Sequence, residues 1–69
     1  MSENEYPNCE KINLGIVKMP LGYTLYLDSD CTHYFYVGPS GEESCEHWDK
    51  WVVYRWAKRK AHEVHHDFA

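Results

Sequence analysis

Three short stretches of alternating apolar and polar side chains, each closed by turn residues, run into a tail, residues 42–69, that holds neither Gly nor Pro. Alternation with period two marks strands with one buried face, and a long unbroken tail with helical spacing marks an amphipathic helix. Ile12, Leu14 and Ile16 oppose Asn13, Gly15 and Val17, and Met19-Pro20-Leu21-Gly22 then supplies a turn. Tyr23, Leu25 and Leu27 oppose Thr24 and Tyr26 ahead of Asp28-Ser29-Asp30; His33, Phe35 and Val37 oppose Tyr34 and Tyr36 ahead of Gly38-Pro39-Ser40-Gly41. Connections this short join antiparallel neighbours. The expected fold is therefore α+β, a three-stranded antiparallel β-meander followed by one long C-terminal α-helix packed on one face (βββα). It occupies residues 11–69 as a single domain, and the polar, Pro7-containing residues 1–10 form a flexible N-terminal arm.

The helix has two candidate starts. Ser40 with Glu43 matches a capping box, and Ser44 is a second possible N-cap. Glu42, Glu43, Glu46 and Asp49 then lie near its positive end and Lys58, Arg59, Lys60 and His62 near its negative end, as the helix dipole favours. The helix should run to about His65.

Stepping residues at about 100° places Val53, Tyr54, Trp56, Ala57, Ala61 and Val64 on one broad arc, the side expected to meet the sheet. Arg55, Lys58, Arg59, His62, His65 and His66 take the opposite arc, and Trp48 and Trp51 fall among them near Arg55. A helix-on-sheet pair has one interior, so aromatics facing outward need a second explanation. Either the loop Asp28–Thr32 or the N-terminal arm clothes the first helical turn, or Trp48, Trp51 and Arg55 form an exposed anchor cluster of the residue types that dominate interface energetics. On the sheet, Ile12, Leu14, Ile16, Leu25, Leu27, Phe35 and Val37 are expected against the helix. That leaves Tyr26, Tyr34 and Tyr36 on a bare far face, as mutually packed strand formers or as a contact surface.

Charge narrows the partner. Residues 1–43 carry seven acids against two bases and residues 44–69 carry four against five, for a formal net charge of −4 overall. An acidic sheet half argues against nucleic acid, which draws on a basic face. No segment approaches the roughly 20 apolar residues of a membrane span, and the acidic Met1-Ser2-Glu3-Asn4-Glu5 matches no secretory or transit signal. Cys9, Cys31 and Cys45 are an odd number at irregular spacing, which suits free thiols and a cytoplasmic location.

Cys31-x-His33 and Cys45-x-His47 place zinc-type donors near one another, so a four-ligand site from Cys31, His33, Cys45 and His47 is the alternative to a metal-free protein. The spacing departs from structural zinc sites, because two residues apart on a helix point about 200° apart. No cofactor is expected. A Cys–His nucleophilic pair is conceivable on paper, but no phosphate loop, nucleophile elbow or paired-carboxylate motif accompanies it, and the expectation is a protein that is not an enzyme.

The stretches Gly22–Asp30, His33–Pro39 and Trp48–Lys58 resemble those of short accessory proteins encoded by bacteriophages and prophages. The resemblance spans about residues 11–60 and carries no catalytic or ligand motif. It implies a role in binding one host or phage protein and inhibiting or modulating it, as anti-CRISPR proteins do. The expectation is a protein-binding domain that uses Trp48, Trp51 and Arg55, the Tyr26/Tyr34/Tyr36 face, or both, with a second copy of the chain as one candidate partner. The alternative is a small nucleic-acid-associated regulator working through Lys58–Lys60 and its histidines.

Overall fold

The computed structural model describes residues 6–66, in the order β1 (Glu10–Lys11), β2 (Thr24–Leu27), β3 (Tyr34–Val37) and α1 (Lys50–His66). The strands form one antiparallel sheet in the order β1-β2-β3, and α1 packs on one face of it. This is the expected α+β architecture.

β1 is far shorter than the alternation of residues 11–18 predicts. Glu10 and Lys11 pair with Leu27 and Tyr26, and the Ile12 amide still donates to the Leu25 carbonyl at 2.9 Å. The Asn13 side chain then accepts from the Gly15 amide at 2.8 Å, and Gly15 takes a φ of 83°. A turn closed by its own side chain competes with the ladder and takes the chain off the sheet. Ile12 and Leu14 still pack on the core, whereas Ile16, expected there as well, is 97% exposed.

β2 and β3 form where expected, and their register sets the faces. In the connecting turn the Cys31 amide donates to the Asp28 carbonyl at 2.9 Å and Cys31 adopts a φ of 62°, after which the Asp28 amide donates to the His33 carbonyl at 2.8 Å. Leu27 thereby faces Tyr34, Tyr26 faces Phe35, Leu25 faces Tyr36 and Thr24 faces Val37. Directly opposed residues share a face. Tyr34 and Tyr36 therefore lie on the helix side with Leu25, and Phe35 and Val37 lie on the far side with Tyr26, the reverse of the expectation for β3. Alternation defines two faces of a strand, but a one-residue change of register exchanges them.

The chain does not enter the helix at Ser40 or Ser44. The Gly41 amide donates to the Gly38 carbonyl at 3.0 Å, Gly41 takes a φ of 84°, and the Gly38 amide donates to the Glu42 carbonyl at 2.8 Å. A left-handed glycine after a tight turn reverses the chain into a hairpin. Residues 43–47 accordingly return along β3, bridging Val37 to Glu43 and Tyr34 to His47. The return carries one residue more than β3 between these bridges, a bulge. There the Ser44 hydroxyl oxygen accepts from the Tyr36 amide at 2.9 Å in place of a backbone carbonyl. The helix is capped by Asp49, whose side chain accepts from the Trp51 amide at 2.9 Å. Glu42, Glu43 and Glu46 consequently stand outside its first turn.

Val53 and Ala57 are fully buried against Leu25, Tyr23 and Tyr36, with Trp56 and Ala61 packed on the same stripe. These positions follow the helical repeat of the expected arc. Tyr54 departs from it: its ring meets Trp51 edge-on at 5.8 Å and lies under the Lys58 ammonium at 5.6 Å, on the helix flank. The side chains of Val64, His65 and His66 lie outside the described residues, as do Met1–Glu5 of the expected arm. The rest of that arm crosses the far face of the sheet. The Tyr6 ring meets Tyr26 at 5.0 Å and Phe35 at 5.6 Å, and its hydroxyl donates to the Glu43 carboxylate at 2.6 Å.

Candidate functional site

The Asp49 cap fixes what the two outer tryptophans do. Trp48 lies in the bend just before the cap and is 69% exposed, and Trp51, in the first turn of α1, is 39% exposed. Among the described residues, Trp48 is therefore left largely open to solvent and Trp51 only partly covered. Trp48 is nonetheless held in place: its ring stacks on His47 at 5.1 Å and 28°, and His47 meets Trp56 edge-on at 5.6 Å and 87°. His47 is itself fixed, because its Nδ1 accepts from the Asp49 amide at 2.9 Å. A column of three rings thus runs from the core outward and presents Trp48 on a rigid base, which lowers the side-chain entropy that a contact would cost.

Trp51 and Arg55 share a helix flank four residues apart, and Arg55 is exposed. With the cap at Asp49, helix α1 carries Lys50, Arg55, Lys58, Arg59 and Lys60 against Glu63. Of the three residues expected to bind together, Trp51 and Arg55 therefore sit at the start of a basic helix surface, and Trp48 stands just before it on the His47–Trp56 side.

The second expected surface is not as the sequence suggested. Tyr36 is buried beneath the helix, with Tyr23 edge-on at 5.3 Å, and Tyr34 packs on the same core. Burial, followed by the nearby Glu42 carboxylate, raises the pKa of both Tyr23 and Tyr36 above the usual value near 10. Of the three tyrosines, only Tyr26 lies on the far face, stacked on Phe35 at 5.6 Å and overlaid by Tyr6. A Tyr26/Tyr34/Tyr36 surface does not exist in this register.

The Cys31, His33, Cys45 and His47 donors do not converge among the described residues either. His47 opposes Tyr34 on the helix side, which places His33, the residue just before β3, on the other side of the sheet. Cys31 and Cys45 are exposed free thiols, and Cys45 instead helps line a groove of about 350 Å³ with Tyr36, Glu43, Ser44 and Trp56. His33 does converge with two carboxylates: donor atoms of Asp28, His33 and Glu46 all lie within 4.8 Å of one another.

Sequence reasoning missed one feature of the surface. Ile16 and Leu21, 97% and 92% exposed, stand out from the loop between β1 and β2. The Asn13-x-Gly15 pair that lifts Ile16 off the sheet was the available signal. Among the described residues, no helix is long and apolar enough to cross a membrane. Comparison with protein families, with curated proteins and with solved structures finds no match to this chain.

Proposed function

We propose that this chain is a non-enzymatic protein-binding domain that docks an acidic patch of a partner through Trp48, Trp51 and Arg55. The observation that carries this reading is the posture of Trp48, 69% exposed yet stacked flat on an anchored His47. An isolated exposed apolar residue needs no explanation, but two indoles beside a basic helix surface combine desolvating anchors with a guanidinium fork suited to a carboxylate. The resemblance to phage accessory proteins adds the role: inhibiting or modulating one host or phage protein in the cytoplasm. Nucleic acid is the second reading, favoured by the five bases and single acid of α1. It is disfavoured by the acidic remainder of the chain.

The test captures the partner with wild-type protein and with Trp48→Ala, Trp51→Ala and Arg55→Ala, alongside thermal unfolding of each. Loss of an anchor should weaken binding by about 2 kcal/mol, roughly thirtyfold, with folding largely retained. Normal capture by all three variants defeats the proposal. A steep fall in binding with salt, together with binding to nucleic acid, selects the second reading. Light scattering on the free protein separates a foreign partner from a second copy of the chain.

A further inference from the structure

On the side of the sheet away from the helix, three segments deliver one side chain each to a single point. Asp28 follows β2, His33 precedes β3, and Glu46 belongs to the return stretch beside β3. We infer that Asp28, His33 and Glu46 form a binding site for a first-row divalent transition metal, taking one imidazole nitrogen and two carboxylate oxygens as ligands.

An imidazole between two carboxylates distinguishes this site from a merely acidic patch, which would favour the hard cations magnesium and calcium. The donor atoms lie within 4.8 Å of one another. Ligands bound at about 2.1 Å stand roughly 3–4 Å apart around a tetrahedral or octahedral ion. Side-chain tip movements of about 1 Å close that difference, and the exposed Glu46 is free to make its share. His33 is already oriented, since its Nδ1 lies 2.8 Å from the Thr32 hydroxyl. With Nδ1–H donating to that hydroxyl, the Nε2 lone pair is free for a metal, the arrangement that second-shell partners impose on metal-binding histidines. Asp28 is held too, with Oδ1 accepting from the Asp30 amide at 3.1 Å, which leaves Oδ2 for the ion.

Two carboxylates and a neutral imidazole carry two negative charges, which a divalent ion balances. Bound there, the ion would clip the β2–β3 turn to the irregular return stretch, the part of the sheet held by isolated bridges. It would also leave coordination positions open to solvent. The thiols take no part and two of the three donors are carboxylate oxygens, which suit manganese, so that ion is the probe.

The experiment titrates Mn²⁺ into isotope-labelled protein and follows paramagnetic broadening of the backbone amides. The expected result is broadening centred on residues 28, 33, 34, 46 and 47. Apparent affinity should fall about tenfold or more in Glu46→Gln and in His33→Gln, since even outer-shell losses at metal sites reach that size. Glu46 is exposed, so Glu46→Gln retains the fold and decides the matter if His33→Gln disturbs it. Broadening centred elsewhere, such as on Glu42 and Glu43, overturns the inference. So does its absence at millimolar Mn²⁺, or unchanged affinity in Glu46→Gln. None of these outcomes bears on Trp48 and Trp51, so the site stands or falls independently of the proposed docking surface.

Discussion

Tyr6 is the most telling position to perturb, because it decides whether the far face of the sheet is closed by the chain itself. Its ring contacts Tyr26 and Phe35, and its hydroxyl donates to Glu43. Each aromatic contact contributes about 0.5–1.5 kcal/mol beyond area burial. The hydrogen bond to an exposed carboxylate adds up to about 1 kcal/mol, less than a buried charged bond because water competes. Tyr6→Ala should therefore cost about 2 kcal/mol. For a domain of this size that lowers the melting temperature by roughly 8–16 °C. Tyr6→Phe keeps both ring contacts and should lose under about 1 kcal/mol. Urea denaturation of the three proteins measures the difference, and light scattering reports whether the uncovered Tyr26 and Phe35 promote self-association. A Tyr6→Ala protein within about 0.5 kcal/mol of wild type, as at an uncoupled surface position, would refute the packing of this segment on the sheet.

The other predictions concern the helix and the buried phenols. Asp49→Ala should destabilise by about 1 kcal/mol and Asp49→Asn by much less, since asparagine caps equally well; chemical denaturation showing equal losses, or none, would move the N-cap elsewhere. Trp56→Ala should cost about 3 kcal/mol, the lower end for a large aromatic because Trp56 is only half-buried, and Trp48→Ala under about 1 kcal/mol. Reversal of that order in thermal unfolding would mean that the helix is rotated. Tyr23 and Tyr36 keep their protons to higher pH when folded than when unfolded. Their contribution to stability is thus complete below about pH 10 and is lost as pH rises through the folded values. Phenolate absorbance should rise for these two together with alkaline unfolding, and full ionisation of all the tyrosines in a still-folded protein would contradict their burial.

The sequence determined the element order, the approximate positions of β2 and β3, the sheet-facing helix stripe of Val53, Ala57 and Trp56, and the outward placement of Trp51 and Arg55. These depend on local periodicity, which a chain carries without reference to its neighbours. Which side of β3 is buried was decided by its neighbours, because it follows from the turn at Asp28–Cys31 and the register it imposes, not from alternation along the strand. The start of the helix was decided in the same way. Ser40, Glu43 and Ser44 read locally as caps, yet the left-handed Gly41 and the open edge of β3 turn residues 43–47 into a return stretch bridged to β3, and Ser44 supplies a hydrogen bond across it. The convergence of Asp28, His33 and Glu46 follows from that return stretch. It joins residues up to 18 positions apart in the sequence, a distance over which side-chain spacing alone specifies nothing.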